Sequence, residues 1–311
     1  MIKTTMNLLR AFPVNGQEAV QTGADHAEES AGPMPMEELP DFIQHHIGDA
    51  SEIEFGGGHW NLEALSIDPI QIGSIAIDLS PTRHMVVMVV VGLLMLAIFI
   101  PLAGMLRKKG KEKAPSGFGN AVEAMVVYFR DEVVRTNIGH GADGFTPFIL
   151  TLFFFVLGMN LIGLTPLGIT PTANVSVTAA LALISFVVIE VAGFRALGPA
   201  GYARTIFFLP PGVPGFMKPG MLAILTVVEF IGKLAKPIAL AIRLLANMTA
   251  GHTLILAIMG MIFVLESYLV GVVSVGMASV VMALDLFVAF LQAYIFALLT
   301  SVFIGLIRHA H

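Results

Sequence analysis

Five long apolar stretches restrict the folds that this chain can adopt. They span residues 84–106, 146–167, 175–194, 221–265 and 268–307. A bilayer core takes about 20 helical residues to cross, and a helix satisfies its backbone polar groups internally. Only 13% of the residues are charged, whereas soluble domains average about 25%. The sequence therefore predicts an all-α polytopic membrane protein with five membrane-crossing helices.

The last two stretches, 221–265 and 268–307, are longer than one crossing requires. About forty helical residues reach roughly 60 Å, whereas the hydrocarbon core is about 30 Å thick. Either each stretch is broken, or both helices are strongly inclined. Pro237 would kink the first helix without dividing it into two ideal spans. We therefore expect a long, strongly tilted helical hairpin that turns near Glu266 and Ser267.

Charge divides the chain into an acidic extension, 1–80, and a membrane domain, 81–311. Residues 1–82 hold thirteen of the twenty-two Asp and Glu residues, but only two of the seventeen Lys and Arg residues. We expect residues 1–50 to be largely disordered, because glycine, proline and acidic residues dominate there.

The distribution of basic residues predicts the topology. The first crossing, 84–106, is followed by five basic residues between Arg107 and Lys113. By the positive-inside rule this end is cytoplasmic, so the acidic extension lies outside. Five crossings then place the C-terminus, with Arg308, in the cytoplasm.

An amphipathic pattern covers residues 118–134. Val122, Met125 and Phe129 recur at helical spacing, while charged residues occupy the other faces. The pattern predicts a helix that lies on the cytoplasmic surface of the membrane. A soluble connector helix is the alternative.

Several classes of catalytic and metal site have no counterpart in the sequence. Cysteine is absent, which excludes disulfides, thiolate metal sites and cysteine nucleophiles. We find no zinc-protease helix, no phosphate-binding loop and no nucleophile elbow. His45, His46 and His59 could bind a metal, but surface histidines in an acidic segment are the favoured interpretation. We expect no metal and no cofactor.

Polar residues in the last two stretches follow helical spacing. Those of the first stretch are Glu229, Lys233, Lys236, Arg243 and Asn247, and Leu240 continues the same spacing; the six positions are called the polar stripe below. Spacings of three and four place them on one helix face. An arginine at the centre of a membrane helix costs about 2.5–3.5 kcal/mol even on a mild scale. The pattern therefore favours a proton path over a single structural ion pair.

The second helix and the neighbouring residues extend this path. Asp285 and Gln292 are seven residues apart and share a face, whereas His252 points away from Arg243. Simpler interpretations remain open for several residues. Lys233 and Lys236 could extend to the interface, and Glu190 could pair with Arg195. Asn160 and Gln292 could be hydrogen-bonding partners between helices.

Four segments carry a resemblance to a known family. They read EFIGKLAKPIALAIRLLANMTAGH with LQAYIFALLT after it, FRDEVVRTNIG, and MNLIGLTPLGITPTANVSVTAALAL. From about Thr82 to the end, the chain resembles subunit a of the F-type rotary ATP synthase. The resemblance implies a stator subunit of Fo that is not catalytic alone. Its partners would be a ring of c subunits, the b-subunit peripheral stalk, the remaining synthase subunits and membrane lipid, with no nucleic acid.

The resemblance also implies residue roles in two aqueous half-channels. Arg243 matches the essential arginine that faces the c-ring, and Glu229 matches an acid of the cytoplasmic half-channel. The other matched positions are Asn247 and Gln292 as polar neighbours, His252 and Asp285 as the outer pair in an order reversed from many bacterial relatives, and Asn160. Glu190 is a further candidate for the proton path. Gly163 and Gly168 stand where some bacterial relatives have acids.

The implied location is a bacterial plasma membrane, and an organellar inner membrane is the alternative. Two other functions remain as rivals. A self-contained ion-coupled secondary transporter would transport a solute without partners, but the two halves of the chain show no clear repeat. A structural scaffold would tolerate the loss of the Asp285 charge.

Overall fold

The computed structural model describes residues 52–55, 58–62, 70–72, 75–77, 80–109, 117–165, 168–207, 214, 217–265 and 267–309. The expectation of disorder over 1–50, the metal alternative at His45 and His46, and the turn residue Glu266 lie outside the described residues.

Two short β-hairpins precede the membrane helices. Strands β1 (Glu52–Phe55) and β2 (Gly58–Asn61) pair antiparallel, as do β3 (Ile70–Ile72) and β4 (Ile75–Ile77). The register pairs Glu52 with Asn61 and Ile70 with Ile77. These strands were not predicted from the sequence, and they are only three or four residues long.

Helices form the rest of the described chain. They are α1 (Arg83–Lys109), α2 (Phe118–Tyr128), α3 (Thr146–Gly163), α4 (Val175–Ile206), α5 (Lys218–Leu265) and α6 (Tyr268–Arg308). Five of them, all except α2, are long and apolar enough to cross a membrane. The all-α polytopic architecture predicted for the membrane domain is therefore confirmed.

Helix α2 is amphipathic and continues as a π-helical segment, Phe129–Arg135, and a short helix, Thr136–Ile138. Phe129 and Val133 on the π-helical segment are buried. A π-helical turn leaves backbone groups free for other partners. The Val133 carbonyl has two such partners: it accepts hydrogen bonds from Asn137 Nδ2 at 2.6 Å and from Ser301 Oγ of α6 at 3.0 Å.

Charged residues occupy the exposed side of this segment. Arg130 and Arg135 each donate a hydrogen bond to the Asp131 carboxylate at 2.9 Å, and Arg135 also donates to the Asp143 carboxylate at 2.8 Å. The hydrogen bond from Arg130 holds the pKa of the Asp131 carboxyl below its ordinary value. The Arg135 guanidinium lowers the pKa of Asp143 in the same way.

Helix α4 continues past the end predicted at residue 194. It runs to Ile206, but the backbone is non-helical at Gly198, with φ 69° and ψ 173°. Glycine adopts positive φ without steric cost, and Pro199 suits the first turn of a new helix. The segment is therefore two helices that meet at a kink.

The last two helices are long and packed together, as predicted. Helix α5 has 48 residues and continues through Pro237, and α6 has 41. A 48-residue helix is about 72 Å long, more than twice the hydrocarbon thickness. A helix of this length fits within a bilayer only when it is strongly inclined.

The chain divides into two compact units, and each is described separately. Unit 1 contains Met1–Leu93, Gly158–Asn174 and Asn247–Ala289. Unit 2 contains Leu94–Leu157, Val175–Ala246 and Phe290–His311.

Candidate functional site

A hydrogen bond joins His252 and Thr170 in unit 1. His252 belongs to α5, and Thr170 lies just before the 3₁₀ turn Pro171–Ala173. The bond connects Nε2 of the imidazole with the Thr170 hydroxyl. Because a hydroxyl can donate or accept, this partner suits either form of the ring.

The Asp285 carboxyl lies against the backbone of α5 one residue before His252. A Cβ added at Gly251 would meet the carboxyl group of Asp285, whose Cγ and Oδ1 would be 2.6 Å away. Glycine is therefore required here for close approach, since it leaves space for the carboxyl. His252, Asp285, Gly251 and Thr170 are called the histidine–aspartate cluster. Among the described residues, no ion pair within 4.0 Å joins the imidazole to the carboxylate.

Asn160 lies beside the same loop and is fully buried. Its Oδ1 accepts a hydrogen bond from the Thr172 hydroxyl at 2.7 Å, and its Nδ2 donates to the Ala289 carbonyl of α6 at 3.4 Å. Buried polar groups of this kind normally have such partners. Asn160 therefore links α3, the loop and α6, as expected for a hydrogen-bonding residue between helices.

Thr170 and Gly251 were not predicted from the sequence, and the role of Gly163 was not explained. A Cβ added at Gly163 would meet Cγ2 of Thr170 at 2.7 Å, so this glycine leaves space for the residue that holds His252. The sequence offered only a weak indication of these contacts, which is the presence of glycines inside predicted helices. A glycine inside a helix costs about 1 kcal/mol relative to alanine, and such a cost indicates a close approach.

A second cluster, the lysine–glutamate cluster, lies in unit 2. Lys233 Nζ of α5 is 3.5 Å from the Glu190 carboxylate, and the Tyr202 hydroxyl donates to the same carboxylate oxygen. Lys233 also lies 4.4 Å from the centre of the Tyr202 ring and donates to Thr205 Oγ1 at 3.4 Å. The Lys233 and Glu190 side chains are only 11% and 17% exposed. Glu190 therefore pairs with Lys233, and the suggested pair with Arg195 is not observed.

The polar stripe separates into an exposed side and a buried edge. Glu229, Lys236 and Arg243 are exposed, whereas Leu240 is buried. Lys236 lies over the Phe303 ring at 5.2 Å. Spacing alone therefore grouped residues that face different surroundings.

Arg243 is exposed on α5, a helix long and apolar enough to cross a membrane. Ile242, the preceding residue, is 57% exposed. In the part of the chain that the structure describes, no carboxylate lies within 4.0 Å of the Arg243 guanidinium. An exposed cation on an apolar helix can attract an anion from a neighbouring protein.

The two remaining predicted residues differ in burial. Asn247 of α5 is exposed in unit 1, and Gln292 of α6 is 1% exposed in unit 2. Both are hydrogen-bonding side chains within membrane-length helices. They can supply polar groups where charged residues would be costly.

Comparison with protein families decides what kind of chain this is. A family model described as "ATP synthase A chain" matches residues 85–305. The chain belongs to the ATP synthase subunit a family. The match covers all five membrane-length helices in whole or in large part.

Relatives named ATP synthase subunit a come from several bacteria. One from Chloroherpeton thalassium is 39% identical over 310 residues, covering 98% of this chain and 89% of the relative. One from Anaeromyxobacter dehalogenans strain 2CP-C is 41% identical, covering 94% of this chain and 77% of the relative. One from Pelodictyon phaeoclathratiforme is also 41% identical, covering 93% and 79%.

The ATP synthase subunit a family accounts for the membrane-length helices and for the absence of a recognisable catalytic motif. The chain is a multi-pass membrane protein of this family, which supplies a subunit of the synthase that is not catalytic alone. The remaining subunits of the complex are its partners. The resemblance deduced from the sequence motifs is confirmed.

Proposed function

We propose that this chain is the proton-translocating stator subunit of Fo. It provides two aqueous half-channels and an arginine that faces a ring of c subunits, so that proton flow drives rotation and ATP synthesis. The observation that carries the proposal is Arg243 itself, an exposed cation on a membrane-length helix without a carboxylate partner among the described residues.

The charge of Arg243 gives it two roles at the ring. A rotor carboxylate that approaches the guanidinium is favoured in its ionised form, so it releases its proton there. The guanidinium stays charged at any physiological pH. Its fixed positive charge repels protons and so opposes leakage from one half-channel to the other.

The outer half-channel uses the histidine–aspartate cluster. His252 and Asp285 supply one imidazole and one carboxylate, which can pass protons between water and the rotor. Thr170 orients the imidazole, and Gly251 admits the carboxyl beside it. Asn160 supports the loop that carries Thr170.

The cytoplasmic half-channel uses Glu229, which is exposed on α5. Lys233, one turn further along, is neutralised by Glu190. The pairing limits the repulsion that an unpaired lysine would exert on incoming protons. Glu190 and Tyr202 therefore contribute to the polar wall of this path. Asn247 and Gln292 supply polar groups near the arginine along α5 and α6.

The bacterial relatives and the distribution of charged residues support a proposal for the location of the chain. We place the chain in a bacterial plasma membrane with its N-terminus outside and its C-terminus in the cytoplasm. The c-ring and the b-subunit peripheral stalk are the partners that this role requires.

The test replaces Arg243 with alanine in the assembled synthase and measures ATP-driven acidification of inverted vesicles. We expect pumping to fall to background, because the barrier and the anion partner are lost together. Arg204→Ala is the matched control, since Arg204 is also exposed but lies on α4. The assembled complex is quantified in each membrane preparation.

Normal pumping by an assembled Arg243→Ala complex would refute the assigned role. Solute uptake by the purified chain alone in liposomes would instead favour the secondary transporter.

A further inference from the structure

Unit 2 contains a partly open cavity with an apolar wall and two arginines. Its volume is about 340 Å³, within the range of ligand pockets. Helix α4 forms the apolar wall through residues that include Val187, Val191 and Ala192, and the cations are Arg195 and Arg308. This space is called the arginine-lined cavity.

Neither arginine is neutralised within the described residues. No carboxylate lies within 4.0 Å of either guanidinium in the described ranges. Arg308 Nη1 is buried without a hydrogen-bond acceptor there, and the Arg308 guanidinium lies 5.4 Å from the centre of the Phe145 ring. A buried donor without an acceptor costs about 1–3 kcal/mol or more when charged. The two guanidinium charges therefore favour the binding of an anion in this cavity.

The position of the cavity along the membrane-length helices matches the level of a membrane interface. Arg195 lies twenty residues after the start of α4, or about 30 Å along a helix, which is the thickness of the hydrocarbon core. Arg308 ends α6, and Phe145 directly precedes α3. A Cβ added at Gly193 would meet Ile307 at 2.6 Å, so α4 and α6 are in close contact at this level.

We propose that the arginine-lined cavity binds an anionic glycerophospholipid. The phosphate lies between the guanidiniums of Arg195 and Arg308, and one acyl chain follows the apolar wall of α4. Arginine binds phosphate oxygens through two parallel hydrogen bonds. Anionic lipids of the cytoplasmic leaflet supply such phosphates next to hydrocarbon.

The test uses the intact complex, delipidated in detergent and incubated with phosphatidylglycerol or phosphatidylcholine of identical chains. Bound lipid is then counted by mass spectrometry. The double variant Arg195→Gln/Arg308→Gln is expected to bind phosphatidylglycerol roughly tenfold more weakly, since it loses the charge-assisted bonds. Arg195→Lys/Arg308→Lys, which keeps the charge but loses the paired hydrogen bonds, should bind phosphatidylglycerol with an affinity between those of the unmodified chain and the glutamine variant. Arg204→Gln, on the same helix outside the cavity, should bind as the unmodified chain does.

A second variant keeps both charges and fills the space. Ala196 lines the cavity, so Ala196→Phe should displace the acyl chain and weaken phosphatidylglycerol binding, whereas Ala200→Phe should not. This arm decides the question if the double arginine variant does not assemble. Unchanged phosphatidylglycerol binding in the variants that assemble would overturn the proposal. Inorganic phosphate that displaces phosphatidylglycerol at an equal concentration would overturn the proposal as well, because the site would then recognise a phosphate without hydrocarbon.

Discussion

At the scale of single residues, glycine determines where the candidate proton carriers lie. Gly251 admits the Asp285 carboxyl against α5, and Gly163 leaves space for Thr170, which holds His252. Both glycines are helical positions where alanine would be favoured by propensity. Each glycine lowers the stability of its helix relative to alanine, but it allows a polar side chain to lie close to the helix axis.

Gly251→Ala should impair proton transport while the complex still assembles. The added methyl group would occupy the position of the Asp285 carboxyl and displace it. Overpacking of this kind costs about 1–3 kcal/mol, so we expect the rate of ATP-driven acidification in vesicles to fall at least severalfold.

Gly232→Ala on the same helix is the matched control, because a Cβ there meets nothing within 4 Å. That variant should pump normally. Equal rates for the two variants would contradict the packing of Asp285 on Gly251.

The spacing of polar residues in the sequence predicted part of the arrangement on α5. Spacing placed Glu229, Arg243 and Asn247 on one helix face, and all three are exposed. The same spacing included Leu240, which is buried. Periodicity gives the angle around a helix but not the neighbour at that angle, so burial could not be predicted. The Thr170 contact depends on a loop, whose path no periodic pattern describes.

At the scale of elements, the apolar stretches predicted the helices well because lipid leaves a chain few alternatives. Helix α5 begins and ends within a few residues of the predicted limits and continues through Pro237. Helix α4 differs because Gly198 introduces a kink, after which helix resumes as far as Ile206. A glycine–proline pair predicts a break, but it does not tell whether the next residues return to helix.

The short helix Thr136–Ile138, which follows the π-helical segment, packs tightly against α6. A Cβ added at Gly305 would overlap the Asn137 carbonyl. Gly305→Ala should therefore destabilise this contact by about 1–3 kcal/mol and lower the midpoint of thermal dissociation of the complex. Gly276→Ala on the same helix meets nothing within 4 Å and should leave the midpoint unchanged. Similar midpoints for both variants would show that the backbone relaxes freely at Gly305.

At the scale of the whole molecule, membrane topology can be tested because the chain contains no cysteine. Single cysteines can be introduced at Ser267, between α5 and α6, and at His309, after α6, both of which are exposed. With the N-terminus outside, five crossings place Ser267 outside and His309 in the cytoplasm.

A membrane-impermeant maleimide should label Ser267→Cys in intact spheroplasts and His309→Cys only in inverted vesicles. The unmodified chain provides the background signal. The opposite pattern would reverse the orientation, and with it the assignment of Glu229 to the cytoplasmic side.

The exposure of Arg243 also has a consequence for biosynthesis. A newly inserted chain that has not met its partner holds this guanidinium against lipid, at a cost of about 2.5–3.5 kcal/mol on the mildest scale. Assembly relieves that cost, so the orphan chain is the less stable species in the membrane. We therefore expect unassembled copies of the chain to be cleared from the membrane faster than assembled ones.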